Sequence, residues 1–122
     1  MDAAHRDLKA LTGMLSTDVF ADEVFGLHVQ QAVEKSLKAW IAGLGEIYSY
    51  THDLSILLRQ LEKLGCEIDS HKSFVPFSSF ATQTRYTGVA DDVHIDREEI
   101  LKQVQLLYDS VDALLHRQEE KA

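Results

Sequence analysis

The chain has 122 residues, 45% of them hydrophobic, with one proline and six glycines. These proportions exclude a disordered or loop-dominated polypeptide and fit a single domain, residues 1–122, built on one core. Twelve basic residues against twenty acidic ones leave a formal net charge of −8, which repels a phosphate backbone and excludes indiscriminate nucleic-acid binding unless Lys and Arg gather on one face. The single cysteine, Cys66, cannot form an internal disulfide and fits a reducing compartment. No apolar run approaches the roughly 18 residues of a membrane span, and the opening Met1-Asp2-Ala3-Ala4-His5-Arg6 lacks an apolar signal core. The expectation is a soluble, unprocessed, cytoplasmic protein with no membrane role.

Apolar residues recur at helical spacing almost throughout, and no run alternates strictly as a half-buried strand would. A first helix, Ala3 to Leu15, carries Ala4, Leu8, Leu11 and Leu15 on one stripe. A second, Val19 to Ala42, stacks Phe25, Val29, Val33, Leu37, Trp40 and Leu44 before Gly43 and Gly45 stop it. Thr51-His52-Asp53 suits the start of a third, whose Leu54, Leu57, Leu58, Leu61 and Leu64 lead to Gly65. Cys66 to Val75 is mixed and polar and reads as a long loop, after which Pro76 is placed to begin a fourth helix over Phe77, Phe80 and Tyr86. Thr87 to His94 reads as a second loop. Asp96 with Glu99 resembles a capping box, with Ile95 and Ile100 as its staple, opening a fifth helix striped by Val104, Leu107, Val111, Leu114 and Leu115. The expected shared core is Val29, Val33, Leu37, Trp40, Leu58, Leu61, Val104, Leu107 and Val111.

Three stretches, in this order and spacing, resemble the HEPN domain: Gln30-Gln31-Ala32-Val33-Glu34-Lys35-Ser36-Leu37-Lys38-Ala39, then Thr51-His52-Asp53-Leu54, then Thr84-Arg85-Tyr86. The resemblance runs from about Ala3 to Arg117. It implies an all-α, up-and-down bundle of about five helices, assembled as a homodimer and engaged in nucleotide- or RNA-related work. It also implies a minimal nucleotidyltransferase as partner. Some such pairs are toxin–antitoxin systems in which the HEPN protein is a ribonuclease. That branch carries an arginine followed, after four to six residues, by a histidine, since cleavage needs a base at the 2′-hydroxyl and a cation at the phosphate. Here the nearest approach, Arg85 to His94, has eight intervening residues, including Gly88, Asp91 and Asp92, and departs from the pattern.

The residues themselves leave alternatives open. At about 100° per residue Gln31, Glu34 and Lys38 share a polar face of the second helix. They form either a solvated surface with a Glu34–Lys38 pair of about 0.3–0.5 kcal/mol, or a cleft in which Lys38 meets phosphate and Gln31 hydrogen-bonds a ligand. His52 and Asp53 sit at a helix start, where free N–H groups suit an anion. The competing arrangement has Thr51 or Asp53 as cap and His52 bonded to a neighbouring carbonyl. Arg85 either clamps a phosphate or bridges to Glu34 or Asp53, and Tyr86 either stacks on a base or packs in the core. The acidic stretch Asp91 to Asp96 and the scattered His5, His28, His71 and His116 match no metal-site spacing. No glycine-rich phosphate loop, nucleophile elbow or HExxH pattern occurs, so neither metal nor cofactor is expected. The resulting expectation is a noncatalytic HEPN-like module that binds a nucleotide or docks a nucleotidyltransferase, with Gln31, Lys38, His52, Asp53, Arg85 and Tyr86 as ligand-binding residues. The alternative is a metal-independent ribonuclease toxin with His52 or His94 as base and Arg85 as phosphate contact.

Overall fold

A computed structural model of the chain describes residues 2–15, 22–78 and 97–121. Four α-helices and one 3-10 helix make up the described regular structure: α1 (Asp2–Leu15), α2 (Asp22–Gly43), α3 (Leu54–Lys63), the 3-10 helix (Asp69–Ser78) and α4 (Arg97–Lys121). The fold is all-α, as expected. Helix α2 is its centre, packing against α1, α3, α4 and the 3-10 helix, while α1 also meets α4 and α3 meets the 3-10 helix.

The stripes read from the sequence become the core. Leu8 and Leu11 of α1, Phe25, Val29, Val33 and Leu37 of α2, Leu54, Leu57, Leu58 and Leu61 of α3, and Val104, Leu107 and Val111 of α4 form one buried cluster, joined by Ile41, which the expected α2 stripe did not include. Of the nine residues expected there, eight are buried. Trp40 is the exception, half-buried at the cluster's edge. Leu44, expected on the α2 stripe, and Leu64, expected on the α3 stripe, each lie past the end of their helix and are exposed.

Both glycine stops act through their backbone. Gly45 (φ +83°) and Gly65 (φ +90°) adopt the left-handed conformation that glycine tolerates best. At the first, Gly45 N donates to Ala42 O at 3.0 Å and Glu46 N to Ile41 O at 3.2 Å. At the second, Gly65 N donates to Glu62 O at 3.0 Å and Cys66 N to Leu61 O at 3.1 Å. These paired bonds are Schellman caps, satisfying carbonyls that a helix end leaves free.

The stretch expected to be a loop up to Val75 is instead a 3-10 helix from Asp69, and Pro76 lies inside it rather than opening a new helix. The reason is a different period. Ile68, Phe74 and Phe77 are buried and His71 half-buried, a spacing of three that matches 3.0 residues per turn rather than 3.6. Phe80, Arg85, Tyr86, His94, Ile95 and the Asp96 cap, with the loop expected over 87–94, lie outside the described residues. No helix among the described residues is long and apolar enough to cross a membrane.

Candidate functional site

At about 100° per residue, Gln30 falls on the apolar arc of α2, between Leu37 and Ile41, and Glu34 lies at the arc's edge beside it. Both side chains are accordingly buried, and a buried amide or carboxylate must find partners inside the protein. They find each other and the turn entering α3. Gln30 Nε2 donates to Glu34 Oε1 at 2.6 Å and to the His52 carbonyl at 3.2 Å. The His52 ring donates through Nδ1 to Glu34 Oε1 at 2.8 Å, and Lys38 Nζ donates to Glu34 Oε2 at 3.0 Å. One carboxylate therefore collects an amide, an imidazole and an ammonium group.

Burial alone would raise the Glu34 pKa, but the hydrogen bonds from His52, Gln30 and Lys38 together outweigh it and hold the carboxyl below its ordinary value. Lys38 is mostly covered, with 19% of its side chain exposed, while His52 shows 71% of its side chain to solvent. With Nδ1 engaged by Glu34, the opposite ring nitrogen of His52 is the edge available to an incoming group. Lys38 Nζ also stands 5.3 Å from the centre of the Tyr48 ring, within cation–π range.

The segment bearing Tyr48 is held by Gln60 of α3. Its Nε2 donates to Ile47 O at 2.7 Å, and its Oε1 accepts from Ser49 N at 3.0 Å and Ser49 Oγ at 3.1 Å. Asp53 caps α3, its Oδ1 accepting from Ser55 N at 2.9 Å and Ser55 Oγ at 2.7 Å. The next amide, Leu54 N, donates to Ser78 Oγ at 2.9 Å, so the first turn of α3 has its leading N–H groups bonded within the protein.

The expected site residues thus separate. Lys38 and His52 meet on Glu34, Asp53 shapes the turn beside them, and Arg85 and Tyr86 lie outside the described residues. The Glu34–Lys38 pair exists, but His52 bonds that carboxylate rather than a neighbouring carbonyl. Gln31 is half-buried on the adjoining arc of α2 and makes no side-chain hydrogen bond among the described residues. Gln30 was not expected. Its signal was a polar residue standing on the apolar arc four residues before Glu34.

A second brace occupies the other edge of the polar arc. Asp7 of α1, buried, accepts from His28 Nδ1 at 3.1 Å and from Lys35 Nζ at 2.7 Å. No group of three or more His, Cys, Asp or Glu residues among the described residues is arranged to hold a metal.

A helical bundle whose central helix carries this glutamine–glutamate–lysine series, joined to a Thr-His-Asp turn, defines the class of protein. The HEPN domain family model matches residues 1–114, and the chain belongs to that family. No curated protein and no solved structure matches it.

Proposed function

We propose that this HEPN protein is a noncatalytic binding module that takes a nucleotide on the face formed by α2 and the turn entering α3. The observation that carries this reading is the Glu34 hub, which fixes Lys38 and an exposed His52 on one carboxylate beside Tyr48. Groups held by buried partners are preorganised, so a ligand is not charged the entropy of ordering them. His52 offers a ring nitrogen, Lys38 an ammonium with further donor capacity, Gln31 an amide with no hydrogen bond among the described residues and Tyr48 an aromatic face. Arg85 and Tyr86, adopted from the family resemblance, complete the proposed set as phosphate clamp and base stack. Homodimer formation and a minimal nucleotidyltransferase partner belong to the same proposal. The exposed Ile56 and Leu106, 40% and 60% exposed, are apolar surface that such contacts would cover.

The test is a thermal-shift and NMR titration with AMP, ADP and ATP, repeated on Lys38→Ala, His52→Ala and Arg85→Ala. Each substitution is expected to cost about 1–3 kcal/mol of binding while leaving helicity near wild type. If no nucleotide raises the melting temperature, the reading is wrong.

A second reading, a metal-independent ribonuclease, is supported by one observation. The Glu34 carboxylate orients the His52 imidazole at 2.8 Å, and a base held this way suits deprotonation of a ribose 2′-hydroxyl. Cleavage of an RNA oligonucleotide in EDTA, abolished by His52→Ala, would favour it over the noncatalytic module.

A further inference from the structure

About 120° around α2 from Glu34 lies a groove that the proposed nucleotide site does not use. Trp40 is about 160° around the helix from Lys38. Its indole meets the His71 ring edge-on, centroids 5.8 Å apart and planes at 90°, and His71 lies nearly parallel to Phe74, 6.3 Å away and 11° apart. These rings from α2 and the 3-10 helix make an angled aromatic wall. The facing side is α4, where Val111 and Leu114 form an apolar floor and Arg117 stands on the same face, one turn on from Leu114.

Two adjoining hollows follow this wall. One, of about 180 Å³, is lined by Trp40, His71, Ser110, Val111, Leu114 and Arg117, and the other, of about 450 Å³, by Ser70, His71, Phe74, Gln103, Leu106 and Ser110. Arg117 makes no ion pair among the described residues. Burial holds the His71 imidazole below its ordinary pKa, with Glu67 opposing that shift only in part. Arg117 is the cation among the residues lining the groove, standing one turn beyond Leu114, while the Glu67 carboxylate lies near enough to His71 to act on its ring.

We propose that this groove, walled by Trp40 and His71 with the buried Phe74 behind them and flanked by Arg117, binds a planar aromatic anion, a ring system carrying a carboxylate, sulfonate or phosphate. The rings and aliphatic floor match a flat hydrophobic body. The guanidinium matches an oxyanion, which it recognises through paired N–H donors. Both halves are needed, because an apolar ligand leaves Arg117 unanswered and a bare anion leaves the aromatic wall unused.

The protein carries its own reporter, since Trp40 is its one tryptophan. The probe is 1-anilinonaphthalene-8-sulfonate, compared with N-phenyl-1-naphthylamine, which has the same rings without the sulfonate. The sulfonate dye is expected to bind the native protein with energy transfer from Trp40 and no loss of near-UV circular dichroism. Arg117→Gln should weaken that dye about tenfold, a loss of one charge-assisted contact, and leave the uncharged dye unchanged. Arg59→Gln, which removes an exposed cation on α3, should leave both unchanged. Trp40→Phe should abolish the transfer while the sulfonate dye still binds. Equal affinity for the two dyes, or indifference to Arg117→Gln, would overturn the proposal in favour of a merely sticky surface. Absence of dye binding in a species that sediments as a dimer would overturn it in favour of a second copy of the chain.

Discussion

Replacing Glu34 with Ala removes the one acceptor shared by Gln30, His52 and Lys38. The three partners lose unequally. His52, largely exposed, exchanges its bond for water at little cost, and Gln30 retains the His52 carbonyl at 3.2 Å. The expense falls on Lys38, with 19% of its side chain exposed, and on the buried Gln30 amide. A hydrogen bond to a charged group is worth about 1.5–3 kcal/mol, and a buried donor left unmet costs about 1–3 kcal/mol. The expected loss is about 3 kcal/mol, which for a chain of this length lowers the melting temperature by about 12 °C. Because the carboxyl is held below its ordinary value, its contribution is present above the unfolded-state pKa, near 4.5, and lost as pH falls through the folded value. The part of the stability difference between wild type and Glu34→Gln that this carboxyl contributes should therefore shrink below about pH 4.5. Urea melts of wild type, Glu34→Ala and Glu34→Gln from pH 3 to 7 measure both effects. A loss under about 0.5 kcal/mol for Glu34→Ala, the range of ordinary surface changes, would refute the hub.

Three further outcomes follow from local geometry. Gly65→Ala should cost about 1 kcal/mol in thermal melts through backbone strain alone, because a Cβ there meets nothing within 4 Å at φ +90°. Gln60→Ala removes three hydrogen bonds to the Ile47–Ser49 segment, so hydrogen exchange at the Ser49 amide should accelerate at least about tenfold, with a global loss of about 1 kcal/mol. Asp7→Asn weakens the α1–α2 brace to Lys35 and His28, and calorimetry should show about 1–2 kcal/mol less stability.

Period-3.6 stripes revealed the cores of α1, α2, α3 and α4 because their buried leucines and valines need no partners beyond one another. The 3-10 helix escaped the same test. Ile68, His71, Phe74 and Phe77 repeat every third residue, and a window tuned to 100° per residue scatters them around the circle. Trp40 was misplaced for a related reason. Its angle on α2 is correct for the core, but it sits in the last turn, where the facing element is the 3-10 helix and the groove begins. Lys38 and His52 were legible as polar residues at suggestive positions. That Glu34 joins them was not, since their meeting depends on how the segment between α2 and α3 folds back, a path fixed by Gln60 and the Gly45 cap.

The polar arc of α2 acquires its meaning from the carboxylates at its two edges. Going round the helix, Glu34, Lys38, Gln31, Lys35 and His28 follow in that order. Glu34 at one edge engages Lys38 and the turn's His52, while Asp7 from α1 at the other engages Lys35 and His28. Each buried carboxylate thus answers one lysine and one histidine. Neither lysine is left as a bare charge, which is how a strongly acidic chain keeps two cations ordered on a single helix face. Gln31 stands between the two clusters with no side-chain hydrogen bond among the described residues. A ligand approaching this face meets donors whose positions are fixed and whose charge is already balanced. For the nucleotide proposed above, discrimination there would rest on the geometry of hydrogen bonds and stacking more than on Coulombic attraction, since the net charge of −8 opposes the unselective approach of polyanions.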